Sequence, residues 1–260
     1  MRRTLVTAAC TVLALSGAFG QATAPTPTFE VASIKPNTSG DRGSNTNTNK
    51  GEMFVRNATL KGIVMGAYNV REYSFSGPDW LSSVRFDISA KLPPEDSAQV
   101  PKEQRQLNRQ LMMQNLLAER FKLTAHRETK MLSGYALVVT KKGPKLTVSE
   151  RKEGTSISTN NGLLDGHGMS MANLANSLAN QLQGPVADMT GIEGSYDIKI
   201  EWSTDEGKVG GGDGGEGKSP DTRPSIFTAL QETLGLRLET RKIPVEILVV
   251  DHVERTPTEN

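Results

Sequence analysis

Phe86-Asp87-Ile88-Ser89-Ala90-Lys91-Leu92 and Tyr196-Asp197-Ile198-Lys199-Ile200-Glu201-Trp202 are the stretches that decide how this chain is organised. Laid over one another, both alternate apolar with polar residues and both carry Asp at the second place. Each therefore reads as a strand with one buried face.

The flanks of the two strands also correspond. Upstream, Asn49-Lys50-Gly51 and Asn57-Ala58-Thr59-Leu60 match Asn160-Asn161-Gly162 and Gly168-Met169-Ser170-Met171. Thr59 and Ser170 are placed as N-caps, whose hydroxyls accept from a free N–H of the first helical turn. A helix follows each cap, with Leu60, Ile63, Val64 and Ala67 on one face of the first and Met171, Leu174, Leu178 and Leu182 on one face of the second. Downstream, residues 107–120 and 226–234 read as helices, the second with Pro224 suited to its first position. Each runs into an alternating strand, residues 121–125 or 236–240, and then into a turn and a last strand, residues 135–139 or 245–250.

The pattern predicts an α+β fold of two related strand-helix-strand-helix-strand-strand units, with small, mostly antiparallel sheets and helices on one face. The first unit covers residues 29–148 and carries an extra N-terminal strand at Phe29-Glu30-Val31-Ala32-Ser33-Ile34. A polar joint at 149–155 leads to the second unit, 156–260, which a flexible glycine-rich insertion at 204–222 interrupts.

Met1-Arg2-Arg3, a weakly apolar run from Thr4 to Ser16 and the small residues Gly17, Ala18 and Gly20 have the form of a secretory signal peptide, residues 1–20, followed by a linker at 21–28. Export to the periplasm or beyond the cell is the expectation, with no transmembrane segment in the mature chain. Cys10, the only cysteine, lies in the leader, so the mature chain has no thiol or disulfide chemistry. Removal of Arg2 and Arg3 leaves 28 basic against 29 acidic groups, a net charge of about −1. That balance argues against nucleic acid as a partner.

Gly212-Asp213-Gly214-Gly215-Glu216-Gly217-Lys218-Ser219 fits the phosphate-loop pattern, with Ile247-Leu248-Val249-Val250-Asp251 as the matching second element. The setting is wrong. A phosphate loop joins a strand end directly to a helix start, whereas Trp202 ends the strand about ten residues early and Pro220 and Pro224 follow Ser219. Gly212, Gly217, Lys218 and Ser219 are a chance match in a linker, and neither nucleotide nor any other cofactor is expected. Ser149-Glu150-Arg151-Lys152 lacks the companion elements of S-x-x-K hydrolases, and Ser170 already serves as a cap. His126, His167 and His252 form no metal-ligand spacing, so no metal is expected.

The residues placed for recognition are Tyr68 and Trp80, in an aromatic group with Tyr73 and Phe75, together with Arg120, Asp251 and His252. For the aromatics, packing on the first sheet is favoured over contact with a partner. Asp251 with His252, or Asp87 with Arg120, is the pair an acid/base enzyme would use.

Phe29-Glu30-Val31-Ala32-Ser33-Ile34-Lys35-Pro36, Gly77-Pro78-Asp79-Trp80, Leu117-Ala118-Glu119-Arg120-Phe121, Gly191-Ile192-Glu193-Gly194-Ser195-Tyr196-Asp197 and Val250-Asp251-His252-Val253-Glu254-Arg255 together resemble the soil-associated exported protein family of acidobacteria, a domain of unknown function. The resemblance spans the mature chain and implies no reaction, ligand or catalytic residue. Ser225-Ile226-Phe227-Thr228-Ala229-Leu230, Leu234-Gly235-Leu236-Arg237-Leu238 and Val245-Glu246-Ile247-Leu248-Val249-Val250 are similar in pattern to the short N-terminal module of secretins and TonB-dependent receptors, which implies protein contact. The sequence thus points to an exported, non-catalytic binding or interaction module whose partner is unknown, an envelope protein being one candidate. The alternative is a cofactor-free hydrolase outside the cytoplasm.

Overall fold

The computed structural model describes residues 26–41, 43–94, 99–151, 154–204 and 222–258. The leader, Lys152 and the glycine-rich run around Lys218 lie outside these residues. The fold is α+β. Its first half runs β1 (Val31–Pro36), β2 (Asn45–Asn49), β3 (Glu52–Thr59), α1 (Leu60–Tyr68), β4 (Phe75–Ser76), β5 (Arg85–Lys91), α2 (Lys102–Phe121) and β6 (Thr124–Val139). The second half runs β7 (Thr147–Val148), β8 (Ser156–Asn160), β9 (Leu163–Met169), α3 (Met171–Leu182), β10 (Val186–Asp188), β11 (Tyr196–Glu201), α4 (Ile226–Ala229) with a π turn at Leu230–Leu234, and β12 (Leu236–His252).

These strands form three four-stranded sheets, ordered β1-β5-β3-β2, β7-β11-β9-β8 and β10-β6-β12-β4. The first two share one order, shifted by six strands. In the third, the antiparallel pair β6 and β12 lies at the centre, and each half lends its short strand to the other half's long one: β4 runs parallel to β12 and β10 parallel to β6. All other pairings among the described residues are antiparallel.

Local chemistry explains the outer sheets. The hairpins β2–β3 and β8–β9 turn on two residues of positive φ, Lys50 (51°) with Gly51 (77°) and Asn161 (45°) with Gly162 (74°). These are type I′ values, which match the strand twist and favour Asn and Gly. At the end of β3 the register slips between Val55 and Ala58, and Asn57 takes φ 49°. Asp87 holds this bulge: its Oδ1 accepts the Asn57 N–H at 2.8 Å and the Asn37 side-chain amide at 2.8 Å. The other half repeats the arrangement. Gly168, at φ 67°, donates its N–H to Asp197 Oδ1 at 3.1 Å, and the Ser149 hydroxyl donates to the same carboxylate. The Asp at the second place of each quoted strand is thus a structural clasp. It ties the start of the half, the bulge and the central strand together.

Immediately after each bulge a hydroxyl caps a helix, Thr59 accepting from Gly62 N–H at 3.0 Å and Ser170 from Asn173 N–H at 3.1 Å. The buried face of α1 is Leu60, Ile63, Val64 and Ala67. On α3, Met171, Leu174 and Leu178 are buried while Leu182 packs at the margin. Both α1 and α3 end in left-handed residues, Asn69 and Gln183, as do α2 and the π turn in Lys122 and Gly235.

Three local expectations are corrected. The helix predicted from residue 107 begins at Lys102, because Pro101 lacks an N–H and precedes it as the cap residue. Pro224 lies outside the last helix, whose N-cap is Ser225, accepting from Thr228 N–H at 3.1 Å. The turns expected near 126–134 and 241–244 do not exist, since β6 and β12 are single strands of 16 and 17 residues. Their middles are mostly exposed and polar, which reads as loop, but they pair with each other continuously from Leu236 opposite Val139 to Val250 opposite Ala125. Pro244 is tolerated because β4 reaches β12 only at Leu248 and Val249, which leaves that side of the ribbon open.

The ribbon connects two hydrophobic cores. One is built on Leu60, Phe86, Ile88, Leu117 and Phe121, with the end of β12 supplying Leu248 and Val250. The other is built on Leu164, Leu174, Ile198, Trp202 and Leu230, with the end of β6 supplying Leu137. Each long strand therefore starts in one core and finishes in the other. The tail after β12 returns to the first core, where Glu254 and Thr258 N–H groups donate to the carbonyls of Phe121 and Arg120.

Candidate functional site

The five residues singled out from sequence are spread over the first core's margin. Tyr68 ends α1 half-buried against that core, and its phenol is pushed upward by burial, the Arg127 charge opposing. Trp80 packs at the same margin under the Arg255 guanidinium, 5.0 Å from the ring centroid. Arg120 closes α2 and lines a depression of about 330 Å³ beside Phe29, Glu30 and Met112. Asp251 and His252 are exposed neighbours at the end of β12.

The two expected acid/base pairs do not form. Asp251 meets His126 instead, Oδ1 to Nδ1 at 2.8 Å across the ribbon, since successive strand residues point to opposite faces. Asp87 faces away from α2, because Phe86 and Ile88 take the helix-covered face of β5, and its partners are Asn57 and Asn37. Those donors, the Asn57 N–H first, hold its carboxyl below the usual carboxylate range. Asp197 is lowered in the same way, by the Ser149 hydroxyl and then the Gly168 N–H. These are structural carboxylates.

A larger concavity than the Arg120 depression lies elsewhere. A cleft of about 680 Å³ opens between β2–β3, α1 and the N-terminal half of α2. Its floor is aliphatic: Met53, Val55, Ala58, Ile63, Ala67 and Met113. One wall is the exposed face of α1 at Gly62 and Gly66. A side chain beginning at Gly66 would enter open space, with nothing within 4 Å of its Cβ. The opposite wall is a polar stripe of α2, Lys102, Arg105, Gln106, Arg109 and Gln110. Arg109 Nη1 reaches Thr48 Oγ1 at 3.5 Å, whereas the Nε of Arg105 is buried without a hydrogen-bond partner among the described residues.

This cleft is where the halves differ. Residues 113–121 of α2 match the nine residues of α4 and its π turn, each run being followed by a left-handed residue, Lys122 or Gly235. Lys102 to Met112 have no counterpart among the described residues, and they carry the cationic wall. The signal was present in sequence as Lys102, Arg105, Gln106, Arg109, Gln110 and Met113, spaced 3-1-3-1-3 along one helical face. Starting the helix at residue 107 concealed it.

The model of one protein family matches residues 61–253, from the first turn of α1 to just past β12. The chain belongs to the DUF3738 family, proteins of unknown function. No curated protein and no solved structure matches it. Within the DUF3738 span lie both helical walls of the cleft, while the β2–β3 wall precedes it. Among the described residues, no group of three or more His, Cys, Asp or Glu side chains could hold a metal ion. Among the same residues, no helix is long and apolar enough to cross a membrane.

Proposed function

We propose that this DUF3738 protein is an exported, non-catalytic binding module, directed outward by residues 1–20, whose ligand occupies the cleft between α1, α2 and β2–β3. We infer further that its halves are two related units, of which the first was elaborated for binding. The shared strand order of the outer sheets, the repeated Asp clasp and the matching left-handed caps support that relation.

The observation that carries the binding reading is the chemistry of the lining. Its volume suits a small ligand. Its described residues include three cations, two glutamines and several hydroxyls over an aliphatic floor, and no His, Asp, Glu, Cys or Tyr that could act as general acid or base. The test is a thermal-shift screen of wild type beside Gly66→Phe, a variant that fills the cleft from an exposed helical position. Ligands of the cleft should raise the Tm of wild type alone. Equal shifts in both proteins would contradict the reading.

A second reading, protein contact in the envelope, draws on the edge strands β2 and β8, all five residues of each being exposed. Hydrogen-exchange protection gained at residues 45–49 or 156–160 on binding an envelope protein would distinguish it.

A further inference from the structure

A second surface, independent of what the cleft binds, is the outer edge of the first sheet. β2 pairs with β3 and ends the strand order, and all five of its residues are exposed. Open edges are ordinarily shielded by charge, proline, a bulge or brevity. The edge strand β1 has Lys35 and Pro36, and β4, β7 and β10 are only two or three residues long. β2 has none of these defences. Its sequence, Asn45-Thr46-Asn47-Thr48-Asn49, instead reads the same in both directions.

That symmetry is what an antiparallel partner of identical sequence requires. With Asn47 on a twofold axis, Thr46 lies opposite Thr48 of the partner subunit, and Asn45 opposite the partner subunit's Asn49. The backbone agrees. Asn49 and Glu52 close the two-residue turn as a hydrogen-bonded pair, so on β2 the N–H and C=O groups of Thr46 and Thr48 point away from β3. Across the axis these groups form about four hydrogen bonds, and threonines face threonines. Charge fits as well. Asn49 is beside Glu52 and Asn45 beside Arg56, so Glu52 of one sheet and Arg56 of the other fall in one row. Lys50, exposed in the turn, comes beside Ser44 of the partner subunit, at the strand end that carries the exposed Asp41. Asn57 holds that end by donating to the carbonyl oxygens of Asp41 and Gly43 at 2.7 and 2.8 Å. The corresponding edge strand of the other half, β8, lacks the symmetry: a twofold axis at Ser158 would set Ile157 against Thr159, and its turn, Asn161-Gly162, carries no charge.

We propose that a second copy of this chain pairs with β2 through its own β2, joining the two four-stranded sheets as one. The axis stands perpendicular to the sheet, so both clefts open on one side. Thr46 and Thr48, which line each cleft, then stand beside those of the other. Pairing through one short strand is at the low end of specific interfaces, so the dimer should form at about 10–100 μM.

Disulfide trapping tests the register. Residues that face each other as a non-hydrogen-bonded pair have Cα atoms about 4.5 Å apart, within disulfide reach. Cys10 is the only native cysteine, so a Cys10→Ser background isolates each new thiol. In that background Asn47→Cys should give a covalent dimer on mild oxidation. Asn45→Cys should not, because its two copies are offset along the strands by about 13 Å, and neither should Ser158→Cys. Sedimentation equilibrium supplies the second readout. Wild type and Ser158→Lys should dimerise, and Asn47→Lys, which sets two like charges on the axis, should stay monomeric. Lys50→Glu should weaken the dimer about fivefold, and Asp41→Lys in the same chain should restore it. A monomeric wild type at about 1 mM, equal trapping at positions 45 and 47, or trapping of Ser158→Cys in place of Asn47→Cys would overturn the proposal. So would protection of β2 by an envelope protein with the chain itself monomeric, which would favour the second reading above.

Discussion

Gly66→Ala should stabilise the protein, and the size of the gain follows from its surroundings. Gly66 lies on the exposed face of α1, three residues before the left-handed Asn69 that ends the helix. Replacing glycine by alanine inside a helix is worth about 0.5–1 kcal/mol, chiefly because the unfolded chain has less freedom to lose. Nothing within 4 Å would oppose the added Cβ, so the full gain should appear. Gly62, one turn earlier, is the internal control. A Cβ there would sit 3.1 Å from Thr59 Oγ1, the hydroxyl that caps the helix by accepting the Gly62 N–H. Crowding the cap should cancel most of the gain, since a cap is worth about 1 kcal/mol. Urea unfolding reads both: the midpoint should rise for Gly66→Ala, stay near wild type for Gly62→Ala, and the slope should hold constant in each. A Gly66→Ala protein destabilised by about 1 kcal/mol or more would refute the reasoning, because the wall would then be packed and the cleft closed. If the gain appears, the native glycine forgoes stability in order to keep a surface open.

The remaining predictions concern the clasp and the ribbon. Asp87→Ala removes the acceptor for the buried Asn57 N–H and should cost about 1–3 kcal/mol, with Asp87→Asn recovering part of it because the amide oxygen still accepts; urea midpoints decide. Asp87 and Asp197 both have folded pKa values below their unfolded ones, so the stability they contribute is fully present above about pH 4 and is lost as pH falls through the folded values. Urea midpoints followed downward from pH 5 should fall below about pH 4, and less steeply in Asp87→Ala. Gly134→Ala would place a Cβ 2.4 Å from the carbonyl oxygen of Pro185, which accepts the Tyr135 N–H at 2.9 Å. Overpacking there should cost about 1–3 kcal/mol and release hydrogen-exchange protection at Tyr135.

Short-range chemistry made much of the outer sheets legible. The spacing of Leu60, Ile63, Val64 and Ala67 gave the buried face of α1, and Thr59, Ser170 and the alternation around Asp87 and Asp197 were visible as caps and strands. The ribbon was not legible, because Arg127 to Ser133 and Arg241 to Val245 look like loop residues until each is seen opposite the other. Their pairing is a contact across more than a hundred residues, and no local pattern encodes it. The Asp251–His126 pair was missed for the same reason. The cleft was missed differently. Its stripe on α2 is local and periodic, but the apolar face that announces a helix weakens before Leu107, and the first turns are recognisable only by basic and amide residues that carry no burial signal. Tyr68, Phe75 and Trp80 pack at the margin of the first core.

The most direct test of the account is hydrogen exchange with and without the tightest ligand from the thermal-shift screen, followed residue by residue. A ligand seated in the cleft should slow exchange across α1 and Lys102 to Met113 of α2, leaving α3 and β8–β9 of the other half unchanged. Protection centred on α3, or spread evenly over both halves, would contradict the placement of the binding site.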